Sequence, residues 1–390
     1  MELNVVNIVL IVAASQSFLL AVLIFQKHRA LFANRFLAAL LFCFTVISIH
    51  LLIQDAGVYQ IIPFVFVIVG IPLTASPLQF LYTKYLLRRQ THIAPGDWIH
   101  FALFLLFESA LLIAFVFGFV DFSEATAATP DTAPFFLRLF NWLLIAQGLF
   151  YVAAGLRLII RFNKQLKEVL SSIEQLQMNW LRNTTLAMLS AWILFLVEDT
   201  LMTQGINLSN YVFVSVVFAI YVYAMGFFGL MKSEIFSDPS VEKVMHVVEE
   251  IEITQDENNG AKYQRSGLSD ETAGQYLQSL LRLMEEKKIY RNSSLTLTEL
   301  SEELSVSPHN LSEVINTKLR KNFYDFVNGY RLEEAKKDLA DRSKQHLKIL
   351  SIAFDAGFNS KATFNTLFKE QTGVTPSEYR KKLLLSTIGE

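Results

Sequence analysis

Residues 1–230 alternate between long apolar runs and short polar loops. Each run approaches or exceeds the roughly 20 residues that a helix needs to cross the hydrocarbon core of a bilayer. The seven runs are residues 5–25, 36–53, 61–87, 98–120, 136–160, 180–202 and 211–230. The pattern predicts seven membrane-spanning helices. We expect the first run to be a span rather than a cleaved signal peptide, because an acidic residue, Glu2, precedes it and the run is too long.

Lys and Arg occur mainly in alternate loops of this region. They follow the first, third and fifth runs, whereas residues 54–60, 121–133 and 203–210 contain neither. Arg138, at the start of the fifth run, is the exception. Since basic loops are retained on the cytoplasmic side, the distribution predicts a multi-pass protein of the cytoplasmic (inner) membrane. The N-terminus is then outside and the C-terminus in the cytoplasm.

The composition changes abruptly after residue 232. Between Ser233 and Glu271 there are ten acidic residues and three basic ones, a net charge of −7. This predicts an acidic, solvated linker over residues 233–275, between a transmembrane domain (1–232) and a C-terminal domain (276–390). Residues 241–253 form an amphipathic stretch inside the linker, through which two copies are expected to pair as a homodimer.

The C-terminal domain begins with two short helical patterns separated by a tight turn. Ser305 marks the turn, and Ser307 followed by Pro308 is a strong signal for the start of a helix. The apolar positions of the two helices are spaced to face each other: Leu300, Leu304, Leu311, Val314 and Ile315. This is the helix-turn-helix pattern, at about residues 297–318.

The same pattern recurs at about residues 349–370. Ile352 and Ala353 take the places of Leu300 and Ser301, and Gly357 lies at the turn. Between the copies, Phe323–Ala340 is predicted to be one amphipathic helix. Two helix-turn-helix copies in register are far more specific than one, and a stiff connecting helix lets both enter successive major grooves of one duplex.

The second copy carries the motif of a known family. It reads Ile352-Ala353…Gly357-Phe358-Asn359-Ser360…Phe364…Phe368-Lys369, followed by Thr372-Gly373-Val374-Thr375-Pro376-Ser377-Glu378-Tyr379-Arg380. Residues 283–386, about a quarter of the chain, resemble the AraC/XylS-type DNA-binding domain. The resemblance extends to the membrane-linked, multi-span branch of that family, which implies a sensor fused to a regulator.

The second helix of each copy is predicted to read base edges. The predicted residues are His309, Asn310, Glu313, Asn316, Lys361, Asn365 and Thr366. Asn pairs bidentately with adenine, and Glu accepts from cytosine. The family commonly has Arg or Gln at the positions of Glu313 and Thr366, so its usual guanine contact does not carry over there. For each residue, a solvated helix face is the alternative.

A second set of residues is predicted to contact the DNA backbone: Ser307, Ser360, Lys369, Arg380, Lys381 and Lys382. From Lys318 to Lys382 there are 14 Lys and Arg against 8 Asp and Glu, a net charge of +6. Such an excess neutralises phosphates and makes binding sensitive to salt. Solubility is the alternative explanation for scattered lysines.

Four ionisable residues inside the apolar runs are candidates for sensing a signal: His50, Glu108, Glu198 and Asp199. Charged groups inside a bilayer are costly and often functional. We expect a small-molecule or lipid ligand that reaches them from outside. Hydrogen bonding between helices is the competing explanation.

The sequence indicates no enzyme, metal site or cofactor. Cys43 is the single cysteine, and there is no histidine-rich metal spacing, glycine-rich phosphate loop or nucleophile motif. The predicted fold is all-α, and the predicted function is a membrane-bound, sequence-specific transcriptional regulator that binds double-stranded DNA. RNA polymerase is a further partner if the protein activates transcription. A membrane transporter or receptor whose C-terminal domain binds protein is the alternative.

Overall fold

The computed structural model describes residues 5–27, 31–55, 69–117, 135–174, 176, 178–206, 212–232, 241, 244–245, 247–248 and 268–386. These residues form fourteen α-helices and short 3-10 turns, and their only β-pairing is an isolated bridge, so the predicted all-α class is confirmed. The chain divides into two compact units. The first comprises Met1–Arg161 and Met178–Val241, and the second comprises Phe162–Gln177 and Glu242–Glu390.

The first unit is built from apolar helices. They are α1 (Val5–Lys27), α2 (Ala33–Asp55), α3 (Pro72–Arg88), α4 (Ala102–Val116), α5 (Phe135–Val169, which continues into the second unit), α6 (Asn179–Thr203) and α7 (Val212–Lys232). Six helical segments of the described chain are long and apolar enough to cross a membrane. The exception, α3, has 17 described residues, and residues 61–68 of the predicted third span lie outside the described part.

Three of the predicted spans have clearly different bounds in the structure. The third, predicted from residue 61, is helical only from Pro72, after a turn at residues 69–71. The fourth begins as a 3-10 helix, Pro95–Phe101, before α4 starts at Ala102. The fifth continues past residue 160 to Val169. Beyond residue 160 the polar residues increase, but Phe162, Leu166 and Val169 recur at helical spacing and are all buried. The helix therefore continues in amphipathic form after its uniformly apolar part ends.

Close helix packing forms the core of the first unit. Helix α1 packs against α2 and α7, α2 against α3 and α7, and α6 against α7. Gly229 of α7 permits one of these approaches, because a Cβ atom there would lie 2.3 Å from the Leu37 side chain. The missing side chain lets the two helix backbones approach closely.

The second unit contains the remaining helices. They are α8 (Asp270–Glu286), α9 (Leu297–Leu304), α10 (Pro308–Lys318), α11 (Phe323–Ala340), α12 (Ile349–Asp355), α13 (Lys361–Thr372) and α14 (Pro376–Ser386). Helix α11 has the bounds that the sequence predicts. Most of the predicted linker, including most of residues 241–253, lies outside the described residues.

Candidate nucleic-acid interface

The first helix-turn-helix unit, α9 and α10, is organised by local capping. Thr296 and Glu299 form a capping box at the start of α9, and Ser305 takes the left-handed conformation at its end, with φ of 55°. The Ser307 hydroxyl then accepts from the Asn310 amide at 3.2 Å, and Pro308 is the first residue of α10. Both the turn and the start of the second helix lie where the sequence predicts them.

The second helix-turn-helix unit, α12 and α13, repeats this arrangement around Gly357. Its φ of +101° favours glycine, and a Cβ atom there would lie 2.5 Å from the carbonyl oxygen of Tyr290. Ser360 caps α13 by accepting from the Thr363 amide at 3.3 Å. A core shared with α11 supports the pair: Leu332, Ala335, Leu339, Ile352, Ala353, Ala356, Phe358, Phe364 and Phe368. This core fixes α13 relative to the connecting helix.

Arg331 is a buried cation at the centre of the connecting helix α11. Its side chain is 1% exposed and makes five hydrogen bonds. Nε donates to the Tyr290 carbonyl at 2.7 Å, and Nη2 donates to the Asn292 carbonyl at 2.7 Å. Burial lowers the pKa of Arg331 to about 10. Arg331 is absent from the predicted site residues, although an arginine between Val327 and Ala335 in an apolar stripe is a recognisable signal.

Glu334, on the same helix, holds the short 3-10 turn Ile289–Arg291. It accepts from the Tyr290 hydroxyl, from Arg291 and, at 3.2 Å, from Lys288. Although burial opposes ionisation, these donors lower the pKa of Glu334 to about 2. Glu334 is likewise absent from the predicted site residues. Together Arg331 and Glu334 join α11 to the chain that precedes the first helix-turn-helix unit.

The predicted base-reading residues differ in exposure between the two helix-turn-helix units. In α13, Lys361, Asn365 and Thr366 are all exposed. In α10, the corresponding set (His309, Asn310, Glu313 and Asn316) is half-buried. His309 Nε2 lies 4.0 Å from Glu313 Oε2. The Asn316 amide nitrogen donates to Glu168 Oε2 at 3.0 Å and to Ser312 Oγ at 3.3 Å. The predicted base-reading residues of α13 are therefore exposed, whereas Asn316 of α10 is held by intramolecular hydrogen bonds.

The residues predicted to contact the DNA backbone also differ in exposure and in their hydrogen bonds. Lys369, Lys381 and Lys382 are exposed. Ser307 and Ser360 use their hydroxyls as helix caps, as a residue at a helix N-terminus commonly does. Arg380 instead donates Nη1 to the Leu347 carbonyl at 2.9 Å and is half-buried.

The four candidate sensing residues lie in the first unit. Glu198 and Asp199 are buried, and Asp199 accepts from the Asn141 side-chain amide at 2.9 Å, which links α5 to α6. Glu108 accepts from the backbone amide of Gly70 at 2.8 Å. His50 is half-buried near the end of α2. Within the part of the chain that the structure describes, no cluster of side chains suited to a metal ion is present.

The C-terminal part of the chain is similar to known proteins. Residues 300–382 match the model of a helix-turn-helix domain family. An uncharacterized HTH-type transcriptional regulator of Staphylococcus aureus (strain COL) is 37% identical over 93 residues, 24% of this chain. A counterpart in strain N315 matches to the same extent, and this chain spans 12% of the length of each.

A second relative is smaller. The probable transcription factor PqrA of Proteus vulgaris is 28% identical over 96 residues, which are 25% of this chain and 76% of that protein. No solved structure matches the chain. The resemblance to the AraC/XylS type is confirmed for the C-terminal region: residues 300–382 are a helix-turn-helix domain of that type.

Proposed function

We propose that the protein is a membrane-bound regulator of transcription that binds specific DNA sequences. The observation that carries the proposal is the pair of helix-turn-helix units joined by α11, with three exposed polar residues on the second reading helix. These are Lys361, Asn365 and Thr366. The relatives' names, HTH-type transcriptional regulator and probable transcription factor, support it.

The exposed face of α13 has the chemistry of direct readout. Asn365 offers a donor and an acceptor together, the pairing that adenine presents in the major groove. Lys361 in the first turn suits guanine or a phosphate, and Lys369 one turn beyond Asn365 suits the backbone. Lys381 and Lys382 add exposed positive charge in α14. On α10 we assign the same reading role to His309, Asn310, Glu313 and Asn316.

The membrane attachment rests on the apolar helices and their flanking charges. Six described helical segments have the length and hydropathy of spans. Lys and Arg lie in alternate loops, so we place the N-terminus outside and the C-terminal domain in the cytoplasm, where it reaches the chromosome. Reporter fusions test this directly. A fusion after Asn210 is expected to be external and one after Ser237 cytoplasmic, and an external C-terminus would contradict the proposal.

We assign a sensing role to the apolar helices of the first unit, because a single helix would suffice to anchor the DNA-binding domain to a membrane. Glu198 and Asp199 are buried acids, and Asp199 links two helices through Asn141. A small molecule or lipid that binds there shifts the protein only if it binds one helix arrangement more tightly than another. Glu198→Gln combined with Asp199→Asn is expected to abolish the response of a promoter reporter without changing the protein level.

DNA binding is tested with the full-length protein in detergent. A duplex is first selected by the protein from a random 40-base-pair library, and Asn365→Ala is then compared with the wild type. The variant is expected to lose about 1–3 kcal/mol of discrimination at one base pair. Gln345→Ala, which removes an exposed amide outside the helices, is the matched control. Failure of the wild type to enrich any sequence would contradict the proposed function.

A further inference from the structure

Residues 162–174 belong to the second unit although the chain places them between two apolar helices. They comprise the end of α5 and the turn that follows it, and we call them the clamp segment. Phe162, Leu166 and Val169 bury its apolar side, and Leu170, Ser171 and Ile173 are buried in the turn. The segment is thus packed into the same compact unit as the helix-turn-helix domain.

The clamp segment is anchored at the start of the first helix-turn-helix unit. Leu170 forms an isolated antiparallel bridge with Thr296, the N-cap of α9. The Ser171 amide donates to the Leu295 carbonyl at 3.2 Å, and the Ser171 hydroxyl donates to the same oxygen at 2.7 Å. Backbone pairing of this kind fixes the register of the segment against the domain.

Ser171 is also bound by the connecting helix. Its carbonyl accepts from Arg331 Nη1 at 3.1 Å and from the Asn328 amide at 3.0 Å, and its hydroxyl accepts from Arg331 Nη2 at 2.9 Å. All three residues are buried. Hydrogen bonds to a buried cation are stronger than neutral ones, so this contact holds the segment firmly.

The segment then contacts both reading elements. Glu168 Oε2 accepts from Asn316, in the last turn of the first reading helix, at 3.0 Å. Ser172 Oγ accepts from Asn359, the residue before the N-cap of the second reading helix, at 2.6 Å. Lys167 lies over the ring of Tyr324 in α11, 5.1 Å from its centroid. The segment therefore contacts the end of α10, the connecting helix α11 and the loop that leads into α13.

We propose that the clamp segment is an intramolecular inhibitor of DNA binding that masks the first reading helix through Glu168. This inference rests on the proposed function and adds its regulation. We call the arrangement in which the clamp segment contacts the domain the docked state. In this state the Asn316 amide already donates to Glu168, and the Glu168 carboxylate lies beside α10, a helix that must approach phosphates. DNA carries a dense negative charge, so it disfavours the docked state.

Helix α5 provides the connection between the clamp segment and the apolar helices. Its 35 residues would span about 52 Å at the rise of an α-helix, whereas the hydrocarbon core is about 30 Å thick. One continuous helix therefore carries both a span and Glu168. A signal that moves α5 changes the population of the docked state, and with it the availability of α10.

The first experiment measures the affinity of full-length protein for the selected duplex after removal of the carboxylate. Glu168→Ala is expected to bind roughly tenfold more tightly, the ratio that one charge-assisted hydrogen bond is worth. Glu302→Ala, which removes an exposed acid of α9, is the charge-matched control. In an Asn316→Ala background the gain from Glu168→Ala is expected to shrink to the part that comes from removing the negative charge, because the hydrogen bond between the two residues is already absent.

The second experiment locks the segment in place. Cysteines replace Ser172 and Asn359 in a Cys43→Ser background, and a short bis-maleimide with a reducible spacer joins them. The cross-linked protein is expected to bind the duplex at least tenfold more weakly, and reduction of the spacer is expected to restore binding.

The outcomes separate this inference from the proposed function. Equal tightening by Glu168→Ala and Glu302→Ala would show a general charge effect, and unchanged binding after cross-linking would show that the docked segment does not block DNA. Either result overturns the inhibitory role while DNA binding stands. Absence of sequence-specific binding in the wild type and in every variant would overturn the proposed function and the clamp with it.

Discussion

Replacement of Arg331 by Met tests the buried centre of the second unit. The substitution keeps a long side chain but removes all five hydrogen bonds of the guanidinium. Some acceptors keep another donor: the Ser171 carbonyl still accepts from Asn328, and the Asn292 carbonyl from the Leu295 amide. The Tyr290 carbonyl loses the donor that Arg331 supplies.

The expected cost follows from these contacts. An orphaned buried carbonyl costs about 1–3 kcal/mol, and each lost bond whose acceptor keeps a partner costs less. The loss is offset in part because a buried cation no longer has to be desolvated, the effect that lowers the pKa of Arg331 to about 10. We expect a net destabilisation of about 2 kcal/mol, equivalent to a roughly 30-fold larger opening equilibrium.

Amide hydrogen exchange of the full-length protein, followed by mass spectrometry, measures this change. Arg331→Met is expected to reduce the protection of peptides from Phe323–Ala340 and from the clamp segment together, since Arg331 joins the two. Arg342→Met, at an exposed arginine just after α11, is the control and is expected to leave both unchanged. Protection of both regions within threefold of the wild type would refute the account of Arg331 as the tie between them.

Three further predictions concern the same unit. Gly357→Ala is expected to destabilise it by about 2–4 kcal/mol, because φ is positive and the new Cβ meets backbone, whereas Gly274→Ala in the open face of α8 is expected to be neutral or stabilising in hydrogen exchange. The lowered pKa of Glu334 makes its contribution to stability complete above about pH 4.5, with loss as the pH falls towards 2, so Glu334→Gln is expected to flatten the acid dependence of protection in that window. Neutralising Lys381 and Lys382 to Gln is expected to weaken binding to all duplexes and to reduce the salt slope by roughly 2, and a change confined to one base pair would contradict their assignment to the backbone.

The local signals of the C-terminal domain determined its helices from the sequence alone. The bounds of α11, the tight turn at Ser305 and the start of α10 at Pro308 all follow from apolar spacing and capping residues. Such features depend on residues within one or two turns of each other. For the same reason two copies of one pattern identified the domain type. The apolar runs also predicted helices of membrane-spanning length.

Only the tertiary structure showed which residues these helices bring together. Apolar runs marked the uniformly hydrophobic part of α5, but not its amphipathic end, where burial depends on packing partners. The bonds from Arg331 to Ser171 and from Asn316 to Glu168 join residues more than a hundred positions apart in the chain. Spacing along the chain carries no information about such pairs, because they form only when separately folded segments pack side by side. The half-burial of the predicted base-reading residues of α10 therefore had no signal in the sequence of that helix.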